Sequence, residues 1–301
     1  MAGLVVAMIG QRDLPATYGG VERHVEEVAA RLHDRGHRVT AFTSDHAGPR
    51  EHRGVRLRPV AGLHTKHLDT ISHSLVSSMC AARAKFDVVH MHSLAPGLVA
   101  PVIRTFSRAR VVQTVHGLDD ERAKFNPMAR RVLRVAQWMS SRVPHATLTD
   151  AEWLAEHYRR RWGREVGVAL NGVTPVERVP RSVVADLVGD GSEAGDSTPY
   201  VLFVGRFVPE KNVHVLVEAW RSVDRDVRLV LVGGSAHTDR YAARVRRAAV
   251  DQPRVVLAGN VYGRRLAALY AHAAAFTLPS TVEGLPLVLL DAAAHGLPLV
   301  D

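Results

Sequence analysis

A chain of 301 residues, 47% hydrophobic and 23% charged, can bury a large core, and that balance excludes disorder and fibrous repeats. The single cysteine, Cys80, excludes a disulfide framework, and no apolar run approaches the roughly 18 residues of a spanning helix. The formal charge of +9 is mostly scattered Arg, without the basic and aromatic interleaving of a single-strand groove. That argues against nucleic acid and for an anionic membrane face or a phosphorylated substrate.

Leu4–Ile9 is a short apolar run without a basic leader, so it predicts a buried first strand rather than a secretory signal, and a cytoplasmic chain. Val21, Val25, Val28, Ala29 and Leu32 share one face of a helix from Val21 to Arg35, which Gly36 ends. Strands follow at Val39–Thr43 and Val55–Val60, a helix at Ile71–Arg83, and strands at Val88–Met91 and Val111–Val115. Arg122–Arg142 reads as a long helix and Arg159–Arg161 as part of another, with late strands at Ala146–Thr149 and Val166–Leu170. The stretch 175–199, with three prolines and a Gly-, Ser- and Asp-rich run, has the texture of a linker or an exposed excursion.

Alternation then resumes. Strands are expected at Tyr200–Val204, Val227–Val232, Val255–Ala258, Ala275–Leu278 and Leu297–Val300. Helices fall between them at Val213–Arg221, Arg240–Val250, Arg264–Ala271 and Leu287–His295. Strands separated by helices mean parallel sheets with covered faces, hence two doubly wound α/β units with ligands at the carboxyl ends of the strands.

Gly19 and Gly20 lie between the first strand and the first helix, where they let a ligand approach the backbone and the helix start; a plain tight turn fits equally. No third glycine stands at dinucleotide-fingerprint spacing, which disfavours a Rossmann-type oxidoreductase. In the second unit, Gly205–Asn212 holds the matching place. Its Arg206 and Lys211 can neutralise the two charge centres of a diphosphate, or serve as ordinary solvated charges. Glu283 follows a strand, where a carboxylate accepts sugar hydroxyls or caps the next helix. Asp291, amid Leu289, Leu290, Ala292 and Ala293, must face a cleft or a partner, because an unpaired buried acid is costly.

His116 and Asp119 end a strand at the same cleft, where they are placed to touch a reacting centre. His90 and His92 share a strand face, but no third ligand stands at useful spacing, so no metal is expected. Cys80 beside Met79 reads as a small core side chain. There is no nucleophile elbow and no P-loop.

Taken together, these motifs resemble the retaining nucleotide-sugar glycosyltransferases of family 4. Gly205–Asn212 looks like the family's phosphate-binding signature, and Glu283–Pro286 through Asp291 like its acidic signature, with Asp where a second Glu is usual. Arg12–Glu22 and His116–Phe125 are similar to a bacterial subgroup that includes rhamnosyltransferases of cell-surface polysaccharide synthesis, although Val21 and Asp120 depart from its pattern.

The resemblance implies a GT-B fold of two Rossmann-like domains facing a cleft. Residues 1–174 would form the acceptor-side domain, 175–199 a flexible linker and 200–301 a nucleotide-sugar-binding domain. Because family members continue past the position of Asp301, it also implies an incomplete second domain and an oligomer formed through its uncovered last strand.

By the same likeness, Arg206 and Lys211 bind the donor diphosphate, and the backbone at Gly19 and Gly20 approaches its phosphates. Asp291 takes the ribose, while Glu283, Gly284 and Leu285 hold the donor sugar and His116 lines its anomeric side. The implied reaction is metal-free transfer of a sugar, rhamnose in that subgroup, from a nucleotide diphosphate to a glycan or lipid-linked acceptor, with retention. The site would lie at the inner membrane face. A catalytically impaired paralogue that only binds nucleotide is the alternative.

Overall fold

The computed structural model describes all residues except 1–2, 17–18, 45–47, 63–68, 119–126, 174, 189–197, 236–238, 282 and 301. The chain divides into two compact units, Met1–Asn171 and Gly172–Asp301.

The first unit opens with β1 (Val5–Ile9), four of whose five residues are buried. The amphipathic α1 (Gly20–Asp34) buries Val25, Ala29 and Ala30, with Val21, Val28 and Leu32 packed around them. Then come β2 (Arg38–Thr43), β3 (Glu51–His52), β4 (Val55–Pro59), α2 (Asp69–Arg83) and β5 (Val88–His92). A 3-10 turn at Ala95–Val99 leads into α3 (Ala100–Phe106), β6 (Arg110–Val115), α4 (Pro127–Ser140), β7 (Ala146–Thr149), α5 (Glu152–Trp162) and β8 (Gly167–Val168). The sheet order is β3-β4-β2-β1-β5-β6-β7-β8, parallel except for the short β3–β4 pair.

The second unit contributes a 3-10 turn at Arg181–Val184, α6 (Ala185–Val188), β9 (Tyr200–Val204), a 3-10 turn at Pro209–Lys211 and α7 (Val213–Ala219). It continues with β10 (Arg228–Val232), α8 (Asp239–Val250), β11 (Val255–Gly259), α9 (Gly263–His272), β12 (Ala275–Thr277), α10 (Leu287–Ala294) and β13 (Leu299–Val300). Its parallel sheet runs β11-β10-β9-β12-β13. No helix among the described residues is long and apolar enough to cross a membrane.

Several expectations need correction. Of the expected linker 175–199, residues 189–197 lie outside the described ones, while Val179, Val184 and Val188 are buried in the second core and Arg181 donates to the Thr198 carbonyl at 2.8 Å. The apolar spacing of a short helix was hidden there by proline-rich flanks. Pattern reading also missed Ala95–Phe106, whose Pro96 and Pro101 stand in the first turns of their helices, where a missing N–H costs nothing. The long helix expected from Arg122 covers Pro127–Ser140, and residues 122–126 lie outside the described ones. The last strand shrinks to Leu299–Val300, exposed at the sheet edge, while Leu297 packs on the core.

Both sheets reverse their winding beside the first strand. In the first unit β1 is flanked by β2 and β5, and in the second β9 is flanked by β10 and β12. Chain leaving neighbouring strands in opposite directions opens a crevice at their carboxyl ends, the place where ligands bind in such sheets.

Candidate functional site

In the first unit, that edge gathers groups from distant parts of the chain. His92 ends β5, His116 follows β6, Asp150 follows β7 and Asn171 follows β8. Gly10, after β1, has φ +115, and a Cβ there would come within 2.3 Å of the His92 carbonyl oxygen. Only glycine lets β1 end so close to β5.

His116 Nδ1 donates to Asp150 Oδ2 at 3.1 Å, since a carboxylate only accepts. Asn171 Nδ2 donates to the same carboxylate oxygen at 3.4 Å. His24, four residues along α1 from Gly20, bonds Asn171 Oδ1 through Nδ1 at 2.7 Å and sets its ring edge-on to His116, centroids 4.6 Å apart. Burial, reinforced by His116, lowers the pKa of His24 to about 4. Burial with His24 lowers His90 to about 3, and burial with His90 puts His92 well below its usual range.

Gly19 immediately precedes α1, and a Cβ there would lie 2.7 Å from Glu22 Oε2. At Gly20 a Cβ would meet nothing within 4 Å, so packing inside the protein does not demand glycine. Asp119, the acid expected to act with His116, lies outside the described residues; among the described ones Asp150 is bonded to His116. Asp150, His24 and Asn171 were not singled out from sequence, and their only local signal is position just beyond a strand or on the helix after Gly20. The missing third histidine was likewise a matter of sequence distance: His24, His92 and His116 come from three elements, and their ligand nitrogens lie within 4.8 Å of one another.

In the second unit the two motifs are stapled together. Asn212 Nδ2 donates to the Pro279 carbonyl at 2.9 Å, and the Thr281 N–H donates to the Glu210 carbonyl at 3.0 Å. Between these ties, Lys211 and Glu283 form an ion pair with side chains only 14% and 26% exposed. Glu283 is therefore not the cap of α10, whose N-cap is Pro286. Gly233 has φ +135, and a Cβ there would lie 1.9 Å from the Gly205 carbonyl oxygen. That close approach fixes the loop from which Arg206 projects.

Arg206 pairs with no carboxylate among the described residues, Gly284 and Leu285 are half-buried after Glu283, and Asp291 is buried on α10. The loops after β9 and β12 thus carry Arg206 and the Lys211–Glu283 pair, with Asp291 on the helix that follows. Diphosphate and sugar hydroxyls need that donor and acceptor set.

The family model described as Glycosyltransferase Family 4 matches residues 18–177, more than half of the chain. This chain belongs to glycosyltransferase family 4.

A second model, Glycosyl transferases group 1, matches residues 198–301 of this family 4 chain. Among curated relatives, a GDP-mannose-dependent alpha-(1-6)-phosphatidylinositol monomannoside mannosyltransferase of Mycobacterium tuberculosis is 27% identical over 321 residues, covering 96% of this chain and 78% of the relative. Among solved structures, the sucrose-phosphate synthase of Thermosynechococcus elongatus superposes with a TM-score of 0.78 at 23% identity, covering 98% of this chain and 80% of that one. Anabaena Alr3699/HepE, solved with UDP and glucose, gives 0.77 at 17% identity, with 98% and 80% covered. These likenesses establish the GT-B fold for the family 4 chain.

Proposed function

We propose that this chain transfers a sugar, with retention, from a nucleotide diphosphate donor to a glycan or lipid-linked acceptor, working in the cytoplasm at the inner face of the membrane. The observation that carries the reading is the Lys211–Glu283 pair, formed across neighbouring β9 and β12 on the same loop that holds Arg206. Arg206 and Lys211 bind the diphosphate, Glu283 with the backbone of Gly284 and Leu285 takes hydroxyls of the sugar, and Asp291 takes the ribose. His116 lines the anomeric side, with the backbone at Gly19 and Gly20 approaching the phosphates.

As the anomeric C–O bond breaks, negative charge grows on the leaving phosphate and Lys211 and Arg206 stabilise it, while an oxocarbenium-like centre forms on the sugar. The acceptor hydroxyl attacks from the face the phosphate leaves and passes its proton to the departing phosphate oxygen, which preserves the anomeric configuration. The relative from Mycobacterium tuberculosis uses GDP-mannose and a phosphatidylinositol mannoside, which supports a lipid-linked acceptor here. Rhamnose is the donor sugar that the subgroup resemblance favours.

Calorimetric titration with UDP, GDP and dTDP, followed by a turnover screen of their sugars, tests this reading. The double variant Arg206→Ala/Lys211→Ala is expected to bind the preferred diphosphate about 100-fold more weakly or worse, since hydrogen bonds to charged groups contribute ~1.5–3 kcal/mol each. Unchanged affinity would place the nucleotide elsewhere.

A membrane-borne acceptor suits the outer face of α4. Met128, Val132, Val135 and Trp138 recur there at helical spacing and are 42–79% exposed, beside exposed Arg130, Arg131 and Arg134. Apolar side chains flanked by arginine are the makeup of an interfacial helix. The chain is expected to cosediment with vesicles rich in phosphatidylglycerol and not with pure phosphatidylcholine, and Val132→Glu/Val135→Glu to abolish binding. Equal sedimentation of the variant and the parent would remove α4 from the membrane contact.

A further inference from the structure

The three imidazoles at the carboxyl edge of the first sheet present an unusual electrostatic arrangement. His92 is fully buried and His24 half-buried at this edge. His116 and His24 each have Nδ1 occupied, by Asp150 Oδ2 and by Asn171 Oδ1, which leaves Nε2 of each ring as the nitrogen open to a ligand bond. His92 Nδ1 lies 3.5 Å from His116 Nε2, its ring is stacked on that of His116 with centroids 5.8 Å apart, and its side chain is fully buried. His92 Nε2 has no hydrogen-bond partner among the described residues. Ring nitrogens from three separate elements thus converge within 4.8 Å of one another.

We propose that His24, His92 and His116 form a binding site for a divalent transition metal ion of the zinc type, with Asp150 and Asn171 as its outer supports. Three features carry the assignment. The donor set is chemically right, because neutral imidazole is the ligand form and three histidines with one open position make a recurrent zinc site. The spacing is near what coordination needs: bonds of about 2.0–2.1 Å in tetrahedral geometry place ligand nitrogens ~3.3 Å apart. The His92–His116 separation of 3.5 Å already meets it, and the ligand nitrogens of all three histidines lie within 4.8 Å of one another.

The outer supports are present as well. A histidine whose second nitrogen is held by a carboxylate has its tautomer and ring orientation set in advance for a metal. His116 has Asp150, His24 has Asn171, and those two are bonded to each other at 3.4 Å. His90, whose ring lies 4.1 Å from that of His92, is engaged by Thr114 Oγ1 at 2.8 Å and stays outside the set. The site differs from the expectation of no metal because its ligands are contributed by a helix and two strand ends rather than by a local motif.

A consequence follows that rests on the proposed role of His116 at the donor sugar. An ion on His116 Nε2 occupies the nitrogen that would face the sugar, so the metal is expected to inhibit transfer rather than to support it.

The test is titration of the chelator-treated full chain with Co2+, read by visible absorption and by calorimetry, with Zn2+ as competitor. One equivalent with four- or five-coordinate ligand-field bands, displaced by Zn2+, is expected. His24→Gln should weaken binding at least 100-fold, and Asn171→Ala, which leaves all three ligands in place, about 10-fold. Circular dichroism melting of each variant reports its folding, and Asn171→Ala serves if His24→Gln melts early. No Co2+ binding at millimolar concentration, or binding that neither variant alters, would overturn the assignment and locate any bound metal on exposed histidines. These spectra need no sugar donor, so failure of the transferase reading and failure of the metal site are separate results.

Discussion

Lys211→Ala is expected to lower kcat for sugar transfer by about 100- to 1,000-fold, the usual loss when one preorganised charge is removed from a leaving group. Glu283→Gln should also reduce transfer, through the lost sugar contact, yet its effect on nucleotide affinity should have the opposite sign. In the free protein Glu283 holds Lys211, so a diphosphate must compete with that carboxylate for the ammonium. Removing the negative charge frees the lysine and lifts a repulsion from the phosphates, and UDP or GDP should bind as well as before or better. Turnover measured beside calorimetry on the two variants checks this. Equal losses of diphosphate affinity in both would mean that the pair acts only as a structural clamp between the two loops.

Acidification should destabilise the first unit well before its carboxylates titrate. An imidazole in the unfolded chain takes up a proton near pH 6.5, whereas in the fold burial holds His24 to about 4 and His90 to about 3, with His92 also low. Across that window the unfolded chain binds more protons, so stability is full above about pH 6.5 and falls as pH drops. At ~1.4 kcal/mol per pH unit, His24 alone contributes of the order of 3 kcal/mol by pH 4.

Glu27, where burial is outweighed by Arg53 and Arg31, begins to lose its contribution only below about pH 4.5. Urea unfolding of metal-free protein between pH 7.5 and 5 therefore isolates the histidines. His24→Gln should flatten the slope, and a stability constant across that range would show the cluster to be hydrated and protonated in the fold.

Local pattern was enough to recover both parallel sheets, because a buried strand such as Tyr200–Val204 and an amphipathic helix such as α1 declare themselves by apolar spacing. The same holds for the two motifs of the second unit. Arg206, Lys211 and Glu283 stand just after predicted strands, and the rule that ligands sit at strand carboxyl ends already placed them at one edge.

Pairing was another matter. That Lys211 meets Glu283, 72 residues away, depends on β9 lying next to β12, a neighbour relation that no spacing encodes. The histidine cluster is the stronger case. His92 and His116 were visible as strand-end residues, but nothing local marks His24 on α1 or Asp150 after β7. Only the sheet order β1-β5-β6-β7-β8 brings their positions together, since contacts between strand ends are set by crossover topology and not by distance along the chain.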